Sequence, residues 1–385
     1  MKVNEIPTPF YIVYEDKIRA NLDLISDVAA RAGVKIIMAF KANALWKTFG
    51  ILREYGVACT ASSLNELRLG NEELCPGQVH TYCPAYTDAT IESYLDGSSH
   101  ITFNSMGQWN RFKDTMREYE ARTGRHVSPG LRVNPRCSVI ATDLYNPALP
   151  GSRFGARADE LEAGVPDGIE GLHFHALCES SSYDLEKVLA AFESQFGHLL
   201  HHLKWVNMGG GHIMTRKGYD TDHLVKVLTD FRKRYPNLEI ILEPGSAFMW
   251  RTGDLIASVV DIVENDGVST AITDVSFACH MPDCLEMPYK PAITESLGDD
   301  PVPGKPTYRL GGNSCLSGDY VGFWSFDKPL QPGDRLTLED MNHYTTVKTN
   351  MFNGIQHPDI WFCDAKGDCT LLRHFSYDDY KSRMS

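Results

Sequence analysis

The feature that most constrains this chain is an alternation. Over roughly its first 250 residues, short apolar strand-like runs recur between longer helix-like segments, the signature of parallel βα units. Eight runs can be counted: Lys35–Phe40, Val57–Ser62, Gln78–Pro84, His100–Ser105, Pro129–Pro135, Gly171–Ala176, Lys204–Gly209 and Leu238–Glu243. Successive starts lie 21 to 42 residues apart, room for one helix and two loops each time. Eight parallel strands close a (βα)8 barrel. The segments between carry helical periodicity, with Ile18, Leu22, Ile25 and Ala29 on one face and Val188, Phe192, Phe196, Leu199 and Leu203 on another. Ser63 and Ser105 stand where helix N-caps are expected.

After about Pro244 the rhythm changes to β-branched and aromatic runs separated by Gly, Pro and Asp: Leu255–Val263, Ala271–Phe277, Thr307–Leu310, Tyr320–Phe326, Arg335–Leu338 and Cys369–His374. The expected fold is therefore α/β plus β: a (βα)8 TIM-type barrel over residues 1–245, then a C-terminal antiparallel β domain over 246–385, on which the N-terminal residues also have room to pack. A chain of 385 residues that is 43% hydrophobic can bury such a core, and 23% charged residues is not the composition of a disordered chain.

Charge narrows the partners. Lys and Arg total 37 against 50 Asp and Glu, a net charge of −13, so no general field draws in nucleic acid or anionic lipid, and cationic small molecules suit it better. The 10 Cys are scattered without a C-x-x-C pair, which reads as reduced thiols in a cytoplasm. No stretch approaches the roughly 20 apolar residues of a membrane span, and the N-terminus lacks a signal core. A soluble cytoplasmic protein is expected.

In such a barrel, functional groups collect at the C-terminal strand ends. The first run ends in Phe40-Lys41-Ala42-Asn43, where burial would make the Lys41 amine nucleophilic; a surface lysine is the plainer reading. The sixth ends His173-Phe174-His175, two imidazoles two residues apart on a strand and so on one face. They read equally as a metal pair, joined in principle by Cys279, His280, Asp283 and Cys284, or as core histidines. The seventh runs into Gly209-Gly210-Gly211, a backbone that can approach an anion closely, and the eighth ends Glu243-Pro244-Gly245, a carboxylate at the mouth. Taken together, Lys41, His175, Gly209–Gly211 and Glu243 are an amine, a flat ring, an anion cradle and an acid. That is the set pyridoxal 5′-phosphate requires for its aldehyde, ring face, phosphate and pyridine nitrogen, and no metal is then needed.

Lys41-Ala42-Asn43, Gly171-Leu172-His173-Phe174-His175, Gly209-Gly210-Gly211, Glu243-Pro244-Gly245, Cys315-Leu316-Ser317-Gly318-Asp319, Tyr344-Thr345 and Phe352-Asn353-Gly354 together resemble the fold-type III pyridoxal-phosphate decarboxylases. The resemblance covers nearly the whole chain. It implies a barrel followed by a β domain, assembled as a head-to-tail homodimer with two shared active sites. Lys41 would hold the cofactor and His175 stack on it. Glu243 would meet the pyridine nitrogen, with Gly209, Gly210, Gly211 and Tyr344 at the phosphate and Arg132 facing the cofactor. Cys315 would enter from the partner chain to reprotonate the α carbon. Cys178 stands where relatives place a phosphate-binding Ser, so Ser180–Ser182 or backbone groups would take over.

Two departures point away from diaminopimelate: Leu316 replaces the Glu that meets the far end of that substrate, and Ser246 replaces the Arg that follows Glu-Pro-Gly. The stretches Tyr145–Pro147, Pro150–Arg153, His175–Glu179 and Phe277–Tyr289 are most similar to the carboxynorspermidine/carboxyspermidine decarboxylase branch, which makes norspermidine and spermidine. Asp283, Glu286 and Asp319 would then meet the cationic tail, carboxylates in a cleft being strong ammonium partners. Two rivals stay open: a decarboxylase of diaminopimelate or another basic amino acid, and a non-catalytic pyridoxal-phosphate-binding barrel, against which the Cys315–Asp319 motif and Tyr344 argue.

Overall fold

A computed structural model describes residues 1–385. The chain forms two compact units, Asn21–Phe248 and a second made of Met1–Ala20 with Met249–Ser385. In chain order, β1 (Phe10–Tyr14) belongs to the second unit. The barrel strands follow: β2 (Lys35–Ile36), β3 (Met38–Ala39), β4 (Cys59–Ala61), β5 (Val79–Tyr82), β6 (Ser98–Phe103), β7 (Ser128–Arg132), β8 (Gly171–His173), β9 (Trp205–Asn207) and β10 (Glu239–Leu242). The remainder are β11 (Gly253–Asn265), β12 (Val268–Thr273), β13 (Thr307–Gly311), β14 (Tyr320–Ser325), β15 (Arg335–Leu338), β16 (Asp359–Cys363) and β17 (Cys369–Arg373).

All pairings in the first unit are parallel, in the order β2-β10-β9-β8-β7-β6-β5-β4-β3. The first apolar run supplies both ends of that order. Ile37 interrupts it: Ile37 N donates to Leu242 O on one side and Met38 N to Ala58 O on the other, so one run changes partner and closes the barrel. Each of the eight runs read from sequence overlaps a barrel strand, with β6 and β7 starting two residues and one residue before their runs. Ser63 and Ser105 cap their helices, accepting from Glu66 N at 3.2 Å and Gln108 N at 3.1 Å. The helix Ser182–Phe196 buries Val188, Phe192 and Phe196 with Leu185 and Leu189, the stripe its 3.6-residue period demands.

In the second unit one sheet runs β14-β13-β12-β11-β1-β16-β17, with β15 added to β11. It is mainly antiparallel, but β1 pairs with β16, and β12 with β13, in parallel. Residues 1–20, for which the sequence left room on this unit, group with it because Phe10–Tyr14 is a central strand between β11 and β16. Two other features depart from the sequence expectation. Asp359–Cys363 is a strand that polar flanking residues had hidden. The run expected over Ala271–Phe277 ends at Thr273, and Phe277 opens a short helix capped by Ser276. Ile6, Phe10, Ile12, Ile256, Cys363 and Cys369 form an apolar cluster in this unit. No helix is long and apolar enough to cross a membrane.

Candidate active site

Lys41 lies in the turn after β3, anchored by the buried Phe40 and Ala42 on either side. Solvent reaches Lys41, yet protein crowds its amine, so it lines a concavity rather than a convex surface. Burial lowers the amine from its ordinary 10.5; Glu243 opposes that fall and Arg132 adds to it. A lysine driven toward neutrality exposes the lone pair that an ammonium lacks.

Glu243 follows β10 and is 9% exposed. Its Oε1 accepts from His173 Nε2 at 2.8 Å and its Oε2 from Asn207 Nδ2 at 3.0 Å. Burial alone would raise this carboxyl; His173, Lys41 and Asn207 outweigh it and hold it at about 2. Burial also drives His173 below its ordinary 6.5, against the pull of Glu243. At neutral pH the pair is thus a carboxylate and a neutral imidazole whose Nε2–H donates.

His173 is the last residue of β8, whereas His175 lies beyond the strand. The two rings therefore have separate environments. His173 stacks on Tyr82 with centroids 5.4 Å apart. His175 Nδ1 accepts from Gly210 N at 3.0 Å, and burial, with the nearby cations of Lys41 and Arg132, drives the ring well below 6.5. It is neutral, with its proton on Nε2 and a half-buried ring. Nowhere do three His, Cys, Asp or Glu side chains gather where they could hold a metal. The metal reading of His173 and His175 accordingly lacks a ligand set.

The glycine triplet is a joint between loops. Gly209 and Gly211 have φ of 71° and 89°, where side chains are disfavoured. A Cβ on Gly209, Gly210 or Gly211 would stand 2.5 Å from Phe174 O, 2.6 Å from Glu243 O or 2.3 Å from Leu177 O. Two of the N–H groups expected to face an anion are engaged internally: Gly209 N donates to Asn207 Oδ1 at 2.9 Å and Gly210 N to His175 Nδ1. The serines near Cys178 also have local partners. Ser180 Oγ donates to Cys178 O, Ser181 caps the helix Ser182–Phe196, and Ser182 Oγ meets His223 Nδ1 at 3.0 Å. Arg132, buried at the end of β7, lies over Tyr82 and Phe154 at 4.7 and 4.3 Å and donates to His175 O at 3.3 Å.

The structure thus brings Lys41, Arg132, His175, Gly209–Gly211 and Glu243 together at one end of the barrel. Asn207, His173 as partner of Glu243, and Tyr82 were not singled out by sequence. The only available signal was position: Asn207 and Tyr82 each end a barrel strand.

In the second unit, Cys315 is exposed, its N donating to Asn353 Oδ1 at 2.8 Å, and Leu316 and Phe352 beside it are exposed too. Tyr344 and Asn353 hold φ of 49° and 57°, conformations that surrounding structure must impose on non-glycine residues. Asp283 and Glu286 share one cation, Lys348, whose Nζ is 2.5 Å from Asp283 Oδ1. Asp319, expected to meet a cationic tail, is 5% exposed: Oδ1 accepts from Ala278 N, and Oδ2 from Ser314 N and Oγ of its own loop. A buried carboxylate so satisfied organises the segment that carries Cys315.

The barrel residues fit pyridoxal phosphate by their donor set. An amine pushed toward neutrality, an acid kept ionised and a flat neutral ring stand together at the C-terminal ends of the barrel strands, beside a buried imidazole acceptor without a partner, His173 Nδ1.

The sequence profile of the pyridoxal-dependent decarboxylases, pyridoxal binding domain, matches residues 15–249. A carboxyaminopropylagmatine decarboxylase of Synechocystis sp. is 43% identical over 383 residues, spanning 100% of this chain and 97% of that protein. A carboxynorspermidine/carboxyspermidine decarboxylase of Campylobacter jejuni is 40% identical, with 100% of both chains covered. The crystal structure of carboxynorspermidine decarboxylase from Campylobacter jejuni, complexed with norspermidine, superposes with a TM-score of 0.88 at 39% identity, over 98% of this chain and 100% of that one. Diaminopimelate decarboxylase from Helicobacter pylori, complexed with L-lysine, shares the fold with a TM-score of 0.82 at 19% identity, over 99% and 97% of the two chains.

Proposed function

The chain belongs to the pyridoxal-dependent decarboxylases, and from that premise we propose that it removes the α-carboxylate of an amino acid built as a carboxylated aminopropyl group on a longer cationic chain, carboxynorspermidine or carboxyspermidine. The observation that carries this reading is the full-length similarity to enzymes named for such substrates, joined to a mouth whose charges suit the cofactor. A second reading differs only in the tail: the relative at 43% identity is named for a substrate derived from agmatine, whose end is a guanidinium.

Pyridoxal phosphate, when bound, supplies an electron sink for the carbon that loses CO2. The chain's own groups do the rest. Lys41, its amine driven toward neutrality, would hold the cofactor through its aldehyde group, and the substrate's own amine would compete for that place. Glu243, ionised at neutral pH, would accept a hydrogen bond from the protonated pyridine nitrogen and so keep that nitrogen cationic. His175, neutral and fixed at Nδ1, offers a flat face without competing charge. Arg132 would stay beside the cofactor as a fixed cation, and the glycine turn, with Gly209 N and Gly210 N already taken by Asn207 and His175, would leave Gly211 N for the phosphate. Cys315 delivers a proton to the α carbon after CO2 leaves.

Exposure of Cys315, Leu316 and Phe352 suits a homodimer in which this segment of one copy completes the site of another. For the substrate tail, Asp283 and Glu286 are the ammonium partners, with Lys348 occupying that position until the tail arrives. The ten cysteines are unlinked, as suits a reducing cytoplasm.

The test is CO2 release by cofactor-loaded protein from carboxynorspermidine, carboxyspermidine, carboxyaminopropylagmatine, diaminopimelate and ornithine. Preference for either of the first two supports the reading, and preference for the third moves it to the guanidinium tail. Turnover confined to the last two sinks it.

A further inference from the structure

A carboxylate at the end of a buried strand has no intrinsic reason to point in one direction. Glu243 is given one. Each oxygen takes one donor from a different strand, His173 Nε2 of β8 and Asn207 Nδ2 of β9, leaving further lone pairs for a third donor. Neither donor is free to turn. His173 is 1% exposed and stacked on Tyr82; with Nε2 donating, its Nδ1 is a bare acceptor without a partner, so contact with Glu243 alone fixes the tautomer. The Asn207 amide is oriented by its other end, where Oδ1 accepts from Gly209 N at 2.9 Å. From there the network continues: Glu243 N donates to Gly209 O at 2.8 Å, and Gly210 N to His175 Nδ1 at 3.0 Å.

We propose that His173 and Asn207 are positioning residues of this site: they aim the Glu243 carboxylate into the barrel mouth and, through Asn207, make its orientation and that of the glycine turn and His175 a single unit. The proposal deepens the pyridoxal-dependent reading and rests on it. Neither residue touches reacting atoms; both act through Glu243. The other charged or titratable groups that bear on Glu243 are Lys41 after β3, Arg132 of β7 and His212 beyond β9, and all remain in place in the variants below.

The test uses four variants. His173→Phe keeps the ring and its stacking while removing the donor, and His173→Gln restores an N–H. Asn207→Leu removes both of that residue's contacts, whereas Asn207→Asp keeps the acceptor for Gly209 N and turns a second carboxylate toward Glu243. The first readout is the protonated-carboxyl infrared band of the cofactor-free protein against pH, assigned to Glu243 by its loss in Glu243→Gln. The second is the dissociation constant for pyridoxal phosphate. Wild-type protein is expected to show no Glu243 band down to pH 4. His173→Phe and Asn207→Asp are expected to develop it at least one pH unit higher and to bind the cofactor roughly 10- to 100-fold more weakly, the effect of losing a hydrogen bond to a charged group. His173→Gln should recover most of both.

If folded His173→Phe and Asn207→Asp titrate and bind as wild type does, the proposal is overturned, even where turnover falls. Should His173→Phe fail to fold, the Asn207→Asp infrared titration decides alone. Wild-type protein that binds no pyridoxal phosphate would instead remove the cofactor reading, which the infrared experiment on cofactor-free protein does not depend on.

Discussion

The two ends of the barrel hold similar residues and treat them differently. At the mouth are Lys41, His173, His175 and three glycines; at the opposite end, where the strands begin, are Lys35, His80, His100, Gly130 and Gly171. At that floor His80 and His100 stack with centroids 4.0 Å apart, Lys35 Nζ lies 3.4 Å from His80 Nε2, and His100 meets the edge of Trp205 at 5.5 Å. Burial drives His80 well below 6.5 and His100 to about 4. The floor's imidazoles are neutral and pack on one another and on Trp205, beside the Lys35 amine. At the mouth burial acts equally on His173 and His175, but Glu243 has two donors and an adjacent amine, and remains charged. One satisfied carboxylate separates a chemical site from a packed layer. The glycines divide likewise: those of the mouth admit neighbouring backbone, whereas a Cβ on Gly130 or Gly171 would stand 2.2 or 2.0 Å from the Trp205 ring.

Removing the mouth's nucleophile should have the largest effect. Lys41→Ala is expected to abolish the bound cofactor's absorbance near the visible edge and to cut CO2 release on the order of 10³-fold or more, with a normal fold by circular dichroism. Turnover retained without added amines would break the claim that the mouth is where chemistry occurs. Glu243→Gln comes next. It preserves shape and one hydrogen bond but deletes the charge, so kcat should fall roughly 10²- to 10³-fold, and the melting temperature at neutral pH should fall too, because the ionised form is the one the fold favours. Cys315→Ala should leave cofactor absorbance intact and lower turnover by about 10²-fold, as loss of a proton donor does.

How far this division could be read from sequence follows from distance along the chain. Strand runs, helix stripes and caps are local, and Lys41, His175 and Glu243 announce themselves by standing at strand ends. The pairings that give them their properties are not local: Glu243 finds His173 70 residues away and Asn207 36 residues away. Phe10–Tyr14 is not among the strand runs read from sequence, and its partners, Gly253–Asn265 and Asp359–Cys363, lie more than 200 residues later. The N–H groups that Asp319 accepts from belong to Ala278, 41 residues away, and to Ser314 of its own loop, contacts no spacing rule predicts.

The floor should respond in stability alone. Gly171→Ala puts a methyl group into the space of the Trp205 indole, whose Nε1 donates to Ser128 Oγ at 2.9 Å and which is 2% exposed. Overpacking of this kind costs roughly 1–3 kcal/mol. Thermal melting should shift down by several degrees while kcat per folded molecule is unchanged. A specific loss of kcat without a lower melting temperature would mean that the floor communicates with the mouth.

Acid titration should separate the mouth's carboxylate from the floor's imidazoles by pH, with the flattest profile at neutrality. An unfolded imidazole takes a proton near pH 6.5 and native His100 only near 4, so its contribution to stability is whole above 6.5 and is lost as pH falls from 6.5 to 4. For Glu243 the unfolded value is 4.5 and the native one about 2, so its contribution is whole above 4.5 and is lost below it. His100→Asn, which keeps a polar partner for Ser99 Oγ, should therefore flatten stability against pH only between 6.5 and 4, by up to about 1.4 kcal/mol per pH unit. Glu243→Gln should flatten it only below 4.5. Because His80 titrates in the same direction as His100, part of the floor's slope should survive in the single variant and disappear when both are replaced. Equal slopes in wild type and His100→Asn over pH 6.5 to 4, measured by denaturant unfolding, would mean that the floor imidazoles are not held neutral by burial, and the contrast between the two ends would fail at its weaker side.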